Sequence, residues 1–115
     1  MAIRVVIVDD HDLFRARLRE LLVLDAFDVV GDAASGARGV ALTADLRPDL
    51  VLLDVMLGDG EGFGLVPALQ RSGAAVVLIS SRDRRDYGGR VEESGAEGFL
   101  SKADLSPSAL REVLR

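Results

Sequence analysis

Five times along this 115-residue chain a short apolar run gives way to an amphipathic stretch, and that alternation restricts the folds open to it. The runs at 3–8, 28–33, 50–53, 75–79 and 98–100 read as strands. Several are apolar on both faces, which is the pattern of strands buried in a parallel sheet. Helical patterns at 13–24, 37–46, 63–72, 84–94 and 107–114 fill the intervals. In the first of them Phe14, Leu18, Leu21 and Leu22 share one face at helical spacing. The last has a clear start, because Ser106 can cap free backbone N–H groups and Pro107 suits a first helical position. The fourth is the weakest, since Gly88 and Gly89 lie inside it and each costs about 1 kcal/mol relative to Ala. It is expected to be short or mobile. Five strands alternating with five helices specify an α/β domain, a doubly wound five-stranded parallel sheet covered on both faces and linked by right-handed crossovers.

The length suits one domain that buries roughly two thirds of its unfolded surface. With 49% hydrophobic and 29% charged residues the composition is that of a globular domain. The longest apolar runs, 5–8 and 74–79, are too short to cross a bilayer and no charged-then-apolar leader precedes them, so a cytoplasmic domain without membrane contact is expected. The absence of cysteine excludes thiolate metal sites and cysteine nucleophiles, leaving oxygen ligands for any metal. A net charge of −5 argues against a surface that tracks nucleic-acid phosphates. Of the 14 basic residues, 13 are Arg and only Lys102 is Lys. A chain that avoids lysine and keeps one points to a requirement for a compact ammonium at that place.

Ligands of doubly wound sheets bind at the carboxyl ends of the strands. The residues there are Asp9 and Asp10 after the first strand, Asp54 after the third, Ser80 after the fourth and Lys102 after the fifth. Carboxylates gathered in this way repel one another by roughly 1 to 4 kcal/mol per pair at 4 Å, so positive charge must join them. Lys102 supplies one charge, and Mg²⁺ fits an oxygen site that keeps waters for a substrate phosphate. Without metal, one of the carboxylates is expected to titrate high. A carboxylate, a cation site, a hydroxyl and a lysine together can transfer a phosphoryl group onto the carboxylate of Asp54. By contrast Asp12, Asp25, Asp49 and Asp83 read as turn formers or helix caps.

These motifs resemble those of response regulator receiver domains over essentially the whole chain. The residues that carry the resemblance are Val8-Asp9-Asp10, Leu52-Leu53-Asp54, Ser80 after Val77-Leu78-Ile79, and Lys102 after the stretch from Gly95 to Leu100. It implies the flavodoxin-like (βα)5 arrangement with strand order 2-1-3-4-5, and Asp54 as acceptor of phosphate from a histidine kinase. It further implies Mg²⁺ (or Mn²⁺) held by Asp9, Asp10, Asp54 and the Met56 backbone carbonyl, and a switch in which Ser80 moves toward the phosphoryl group while Phe99 turns inward. Met56 and Arg82 match positions that tune dephosphorylation. The segments Asp9-Asp10-His11 and Phe99-Leu100-Ser101-Lys102-Ala103 are most similar to the NarL/LuxR-type subgroup, whose members regulate transcription. The expectation is one receiver domain over 1–115 with any C-terminal DNA-binding domain absent, DNA contact only through such a domain, and possible dimerisation on phosphorylation. The richness in Arg, Ala and Gly hints at a high-GC bacterial source.

The pattern has departures. Gly58 stands where many receivers have proline, in a loop from Leu57 to Gly64 whose glycines imply flexibility. Ala103 replaces a common proline after Lys102, so a trans peptide is expected there, a cis bond costing about 2.5 to 4 kcal/mol. His11 reads as a helix-start residue beside the acids in preference to a catalytic base, and Arg82, Arg84, Arg85 and Arg90 as a solvated face that could contact a partner. A degenerate receiver acting only as an interaction module conflicts with five intact key residues. A flavodoxin-like cofactor binder needs a Ser/Thr/Gly-rich loop where Asp9-Asp10-His11-Asp12 stands. A metal-dependent phosphatase lacks a second acid two residues after Asp54, the place of Met56.

Overall fold

The computed structural model describes residues 2–115. Five strands form one parallel sheet: β1 (Arg4–Val8), β2 (Asp28–Ala33), β3 (Leu50–Asp54), β4 (Ala75–Ser80) and β5 (Gly98–Ser101), in the spatial order 2-1-3-4-5. The order expected from the sequence is therefore the order found. The interior strands β1, β3 and β4 are almost wholly buried, which explains why they read as continuous apolar runs rather than as alternating ones.

Alternate residues of these strands feed two cores. Val6, Val8, Val51, Leu53, Val76 and Leu78 face one side, against helices α2 (Gly36–Leu46), α3 (Val66–Gln70) and α4 (Arg90–Ser94). Val5, Ile7, Leu50, Leu52, Val77 and Ile79 face the other, against α1 (Asp12–Leu24) and α5 (Pro107–Val113). Ser106 caps α5 as the sequence implies, its Oγ accepting the Ala109 N–H at 3.0 Å, and Pro107 opens the helix. Ser35 does the same for α2.

Two expected helices are shorter than their sequence patterns. The 63–72 stretch begins as a 3-10 turn, Gly62–Leu65, and is α-helical only over α3. Pro67 sits in the first turn of α3, where its missing N–H breaks no bond, so the α-helix starts just before it. The 84–94 stretch is broken into a 3-10 turn, Arg84–Tyr87, and α4. Gly88 makes the break, with φ 58° and ψ −132°, a left-handed conformation that a side chain resists. Asp83 caps this turn in a reciprocal capping box with Asp86. Among the described residues every peptide is trans, Lys102–Ala103 included.

The glycine-rich loop after β3 is more ordered than its composition implies. Met56–Leu57 pairs antiparallel with Gly60–Glu61 as a two-stranded ribbon. Asp59 at its tip accepts the N–H groups of Gly36 (2.9 Å) and Ala37 (3.2 Å) at the start of α2, and Glu61 pairs with Arg90 of α4 at 2.6 Å. Among the described residues no helix is long and apolar enough to cross a membrane.

Candidate functional site

Sheet register brings the strand-end residues together. The Asp9 N–H bonds the Ala33 carbonyl at the end of β2, and Asp54 stands opposite Ile79, one residue before Ser80. Ser80 in turn is opposite Ser101, and its carbonyl accepts the Lys102 N–H at 2.7 Å. The backbone ladder therefore fixes where all four side chains begin.

Asp9 and Asp54 are buried, 0% and 3% exposed, whereas Asp10 is open to solvent. One carboxylate oxygen each from Asp9, Asp10 and Asp54, with a ring nitrogen of His11, lie within 4.8 Å of one another. Lys102 Nζ is 2.7 Å from Asp9 Oδ2 and 3.4 Å from Asp54 Oδ2, and 4.2 Å from the centroid of the Phe14 ring, which holds the ammonium over the pocket. The contact with Asp9 is an ion pair without hydrogen-bond geometry, so the buried Asp9 Oδ2 keeps an unfilled acceptor site.

Burial first, and the neighbouring Asp9 charge second, push the Asp54 carboxyl up to about 6, against the lowering pull of Lys102 and of the Met56 N–H bonded to Asp54 Oδ1 at 3.3 Å. A raised carboxyl in the metal-free site is what the sequence implies. The residues also fit a hard divalent cation: three carboxylates, two of them buried, with one buried oxygen lacking a hydrogen bond.

Ser80 is buried beside this pocket but bonded away from it. Its Oγ accepts the Arg82 N–H at 3.0 Å and lies 2.6 Å from the Tyr87 hydroxyl, and no hydrogen bond links it to Asp54 among the described residues. Phe99 is half-buried, packed edge-on against Tyr87 with centroids 6.0 Å apart. The Met56 side chain is exposed, and its backbone N–H donates to Asp54 Oδ1.

Close backbone packing shapes the floor of the site. Gly62 donates to the Val55 carbonyl at 2.6 Å, and a Cβ at Gly62 would overlap the Asp54 carbonyl oxygen. The ribbon can fold back under Asp54 only because residue 62 has no side chain.

His11 does more than start a helix. It is the N-cap residue of α1, and both its N–H (2.8 Å) and its ring Nδ1 (3.0 Å) meet Asp9 Oδ1, with Asp10 Oδ1 at 3.2 Å from the same nitrogen. Arg15 is a further site residue that sequence reasoning missed, donating to the Asp9 carbonyl at 2.6 Å and pairing with Asp12 at 2.7 Å. Its position on α1, one turn beyond the acids, was the available signal. Tyr87 gave none, because its contact with Ser80 crosses from a turn to a strand end.

Comparison with known proteins gives a consistent picture. The family model described as response regulator receiver domain matches residues 5–115. The nitrate/nitrite response regulator protein NarP of Escherichia coli is 36% identical over 115 residues, covering 97% of this chain and 53% of that protein. The response regulator GacA of Pseudomonas viridiflava is 35% identical over 103 residues, 87% of this chain and 48% of the other. Among solved structures, the signal receiver domain assigned to the response regulator NarL from Mycobacterium tuberculosis superposes with a TM-score of 0.82 at 31% identity, over 98% of this chain and 97% of that one. The chain spans about half the length of the curated relatives it matches.

Proposed function

This chain belongs to the response regulator receiver domain family, of the NarL/LuxR type, and on that premise we propose that it accepts a phosphoryl group on Asp54 with the help of a divalent cation. Receiver domains are signalling phosphoacceptors rather than classical enzymes. The observation that carries the assignment to Asp54 is its placement: a buried carboxylate at the end of β3, facing the sole lysine and the two acids that follow β1.

Asp9, Asp10 and Asp54 would hold the ion, Mg²⁺ by the hardness of the ligands or Mn²⁺ in its place, with the Met56 carbonyl as a further ligand. When bound, it supplies charge neutralisation for the phosphoryl oxygens. Asp54 forms the new P–O bond as the P–N bond to the phosphohistidine of a sensor kinase breaks, and the departing imidazole nitrogen recovers its proton from solvent. Lys102 stabilises charge on a phosphoryl oxygen, and Ser80 reaches that group by leaving its resting bonds. Water later attacks phosphorus and regenerates the carboxylate, a self-catalysed step in which the chain contributes the same residues, with Met56 and Arg82 at its edge.

Phosphorylation then alters the surface around Phe99, α4, β5 and α5, with dimerisation as one consequence. The relatives named above are response regulators about twice as long, so control of transcription is proposed to run through a DNA-binding module joined to a domain like 1–115, in a bacterial cytoplasm.

The test is mass spectrometry after incubation with acetyl phosphate and Mg²⁺. A labile gain of about one phosphoryl group (~80 Da), lost with EDTA and in Asp54→Asn, is expected. Failure with both acetyl phosphate and a phosphorylated kinase would leave the domain as a phosphorylation-independent interaction module.

A further inference from the structure

Ser80 has a partner that acceptor chemistry does not call for. The hydroxyl of Tyr87, the only tyrosine in the chain, is 2.6 Å from Ser80 Oγ. The Tyr87 ring is half-buried and wedged edge-on between Phe63 (5.4 Å between centroids) and Phe99 (6.0 Å). Phe99 carries no hydroxyl and cannot hydrogen-bond Ser80. Tyr87 can, and it rests directly on Phe99.

A serine hydroxyl has one proton and two lone pairs. The Arg82 N–H occupies one lone pair. If Ser80 donates to Tyr87, no proton is left for a phosphoryl oxygen. If Tyr87 donates, the second lone pair is taken and the oxygen is held on the Tyr87 side. In the first case turning the hydroxyl toward a phosphoryl group on Asp54 breaks the 2.6 Å bond; in the second the Ser80 proton is free, and moving the oxygen toward Asp54 stretches the bond.

We propose that Tyr87 is a positioning residue for Ser80: its hydroxyl keeps Ser80 in the resting place, and loading of Asp54 releases it. The released ring, confined by Phe63 and Phe99, carries the change into the 3-10 turn Arg84–Tyr87 ahead of α4. This rests on Asp54 being the acceptor. One ordinary hydrogen bond, about 1 kcal/mol, biases the resting arrangement by about fivefold.

The chain has no tryptophan, so its tyrosine emission is that of Tyr87 alone. The experiment compares wild type, Ser80→Ala and Tyr87→Phe, using emission for the first two and fluorine NMR titration with beryllofluoride and Mg²⁺ for all three. Ser80→Ala is expected to change the ligand-free emission, and beryllofluoride to change the wild-type emission in the same sense. Tyr87→Phe is expected to bind beryllofluoride about fivefold more tightly, because the competing bond is gone. Normal beryllofluoride binding with an unchanged Tyr87 signal, or equal affinity in wild type and Tyr87→Phe, overturns the positioning role. Absence of beryllofluoride binding in wild type itself overturns the acceptor reading, and the Tyr87 role with it.

Discussion

The Lys102 ammonium lies closer to Asp9 than to Asp54, at 2.7 Å against 3.4 Å, although its hydrogen bond goes to Asp54. The only lysine therefore stands against one of the acids proposed to hold the metal, and in the metal-free site it serves as partial counter-charge. A divalent cation arriving there meets that ammonium as a like charge.

Lys102→Met is accordingly expected to split two properties that an unspecific loss of structure would move together. Two like unit charges about 4 Å apart repel by roughly 1 to 4 kcal/mol at effective dielectrics from water to protein surface. Removing the ammonium should tighten Mg²⁺ binding by at least about fivefold, the lower end of that range. Phosphoryl transfer from acetyl phosphate should fall by about tenfold or more, since charge on a transferred oxygen loses a partner. Calorimetric Mg²⁺ titration reads the first and mass spectrometry the second; weaker Mg²⁺ binding in a folded variant would sink the argument.

Asp54 is expected to cost the metal-free domain stability at neutral pH. Its carboxyl is pushed up to about 6 from an ordinary 3.8 by burial and by Asp9, so the folded state holds its proton more tightly than the unfolded chain does. Stability therefore falls as pH rises from about 3.8 through about 6, and the penalty is complete above that window. Asp54→Asn should be more stable than wild type by on the order of 2 kcal/mol at pH 7.5 in EDTA, and near parity at pH 3.5. Urea denaturation at the two pH values measures this. Equal stability at pH 7.5 would show that Lys102 compensates the buried charge fully.

The strand ends were legible because two simple patterns overlap in them. Apolar runs buried on both faces announce parallel strands, and a parallel sheet collects whatever follows those runs along one edge, so the sequence alone brings Asp9, Asp10, Asp54, Ser80 and Lys102 together. What stayed hidden depends on side-chain reach across elements of different kinds. The Tyr87 hydroxyl meets Ser80 from a separate turn, and Asp59 meets α2 from a ribbon tip. The glycines from 58 to 64 suggested a loose loop, but Gly62 is there for close approach to Asp54 and the loop is held at both sides. Composition reports what a backbone can do, and neighbours decide which of those options is used.

Gly62 and Gly64 provide a direct test of that distinction. A methyl group at Gly62 would overlap the Asp54 carbonyl and crowd Leu53, whereas at Gly64 nothing lies within 4 Å. Gly62→Ala should destabilise the domain by about 1 to 3 kcal/mol, the usual range for overpacking, and slow phosphorylation by displacing Asp54. Gly64→Ala, in the same 3-10 turn, should be neutral or slightly stabilising because it only restricts the unfolded chain. Denaturation midpoints of the two variants read the contrast, and similar values would mean that the ribbon can move away from Asp54 at little cost.

Asp59 ties the ribbon to α2 through two backbone N–H groups, and those bonds hold its carboxyl below the ordinary carboxylate range. A depressed carboxyl stabilises the fold above its unfolded value, 3.8, and that contribution disappears as pH falls through the lower folded value. Asp59→Ala should therefore melt at a lower temperature than wild type at pH 7, with the difference closing in acid. The consequence for the site is local. With the tip released, amides of Met56–Leu57 and Gly60–Glu61 should exchange faster with solvent while those of β3 remain protected. Because Met56 also donates to Asp54, the freed ribbon should lower the phosphorylation rate without removing the acceptor. Hydrogen exchange by NMR separates the outcomes: faster exchange confined to the ribbon supports this tether, and unchanged ribbon protection would assign its order to the Glu61–Arg90 pair instead.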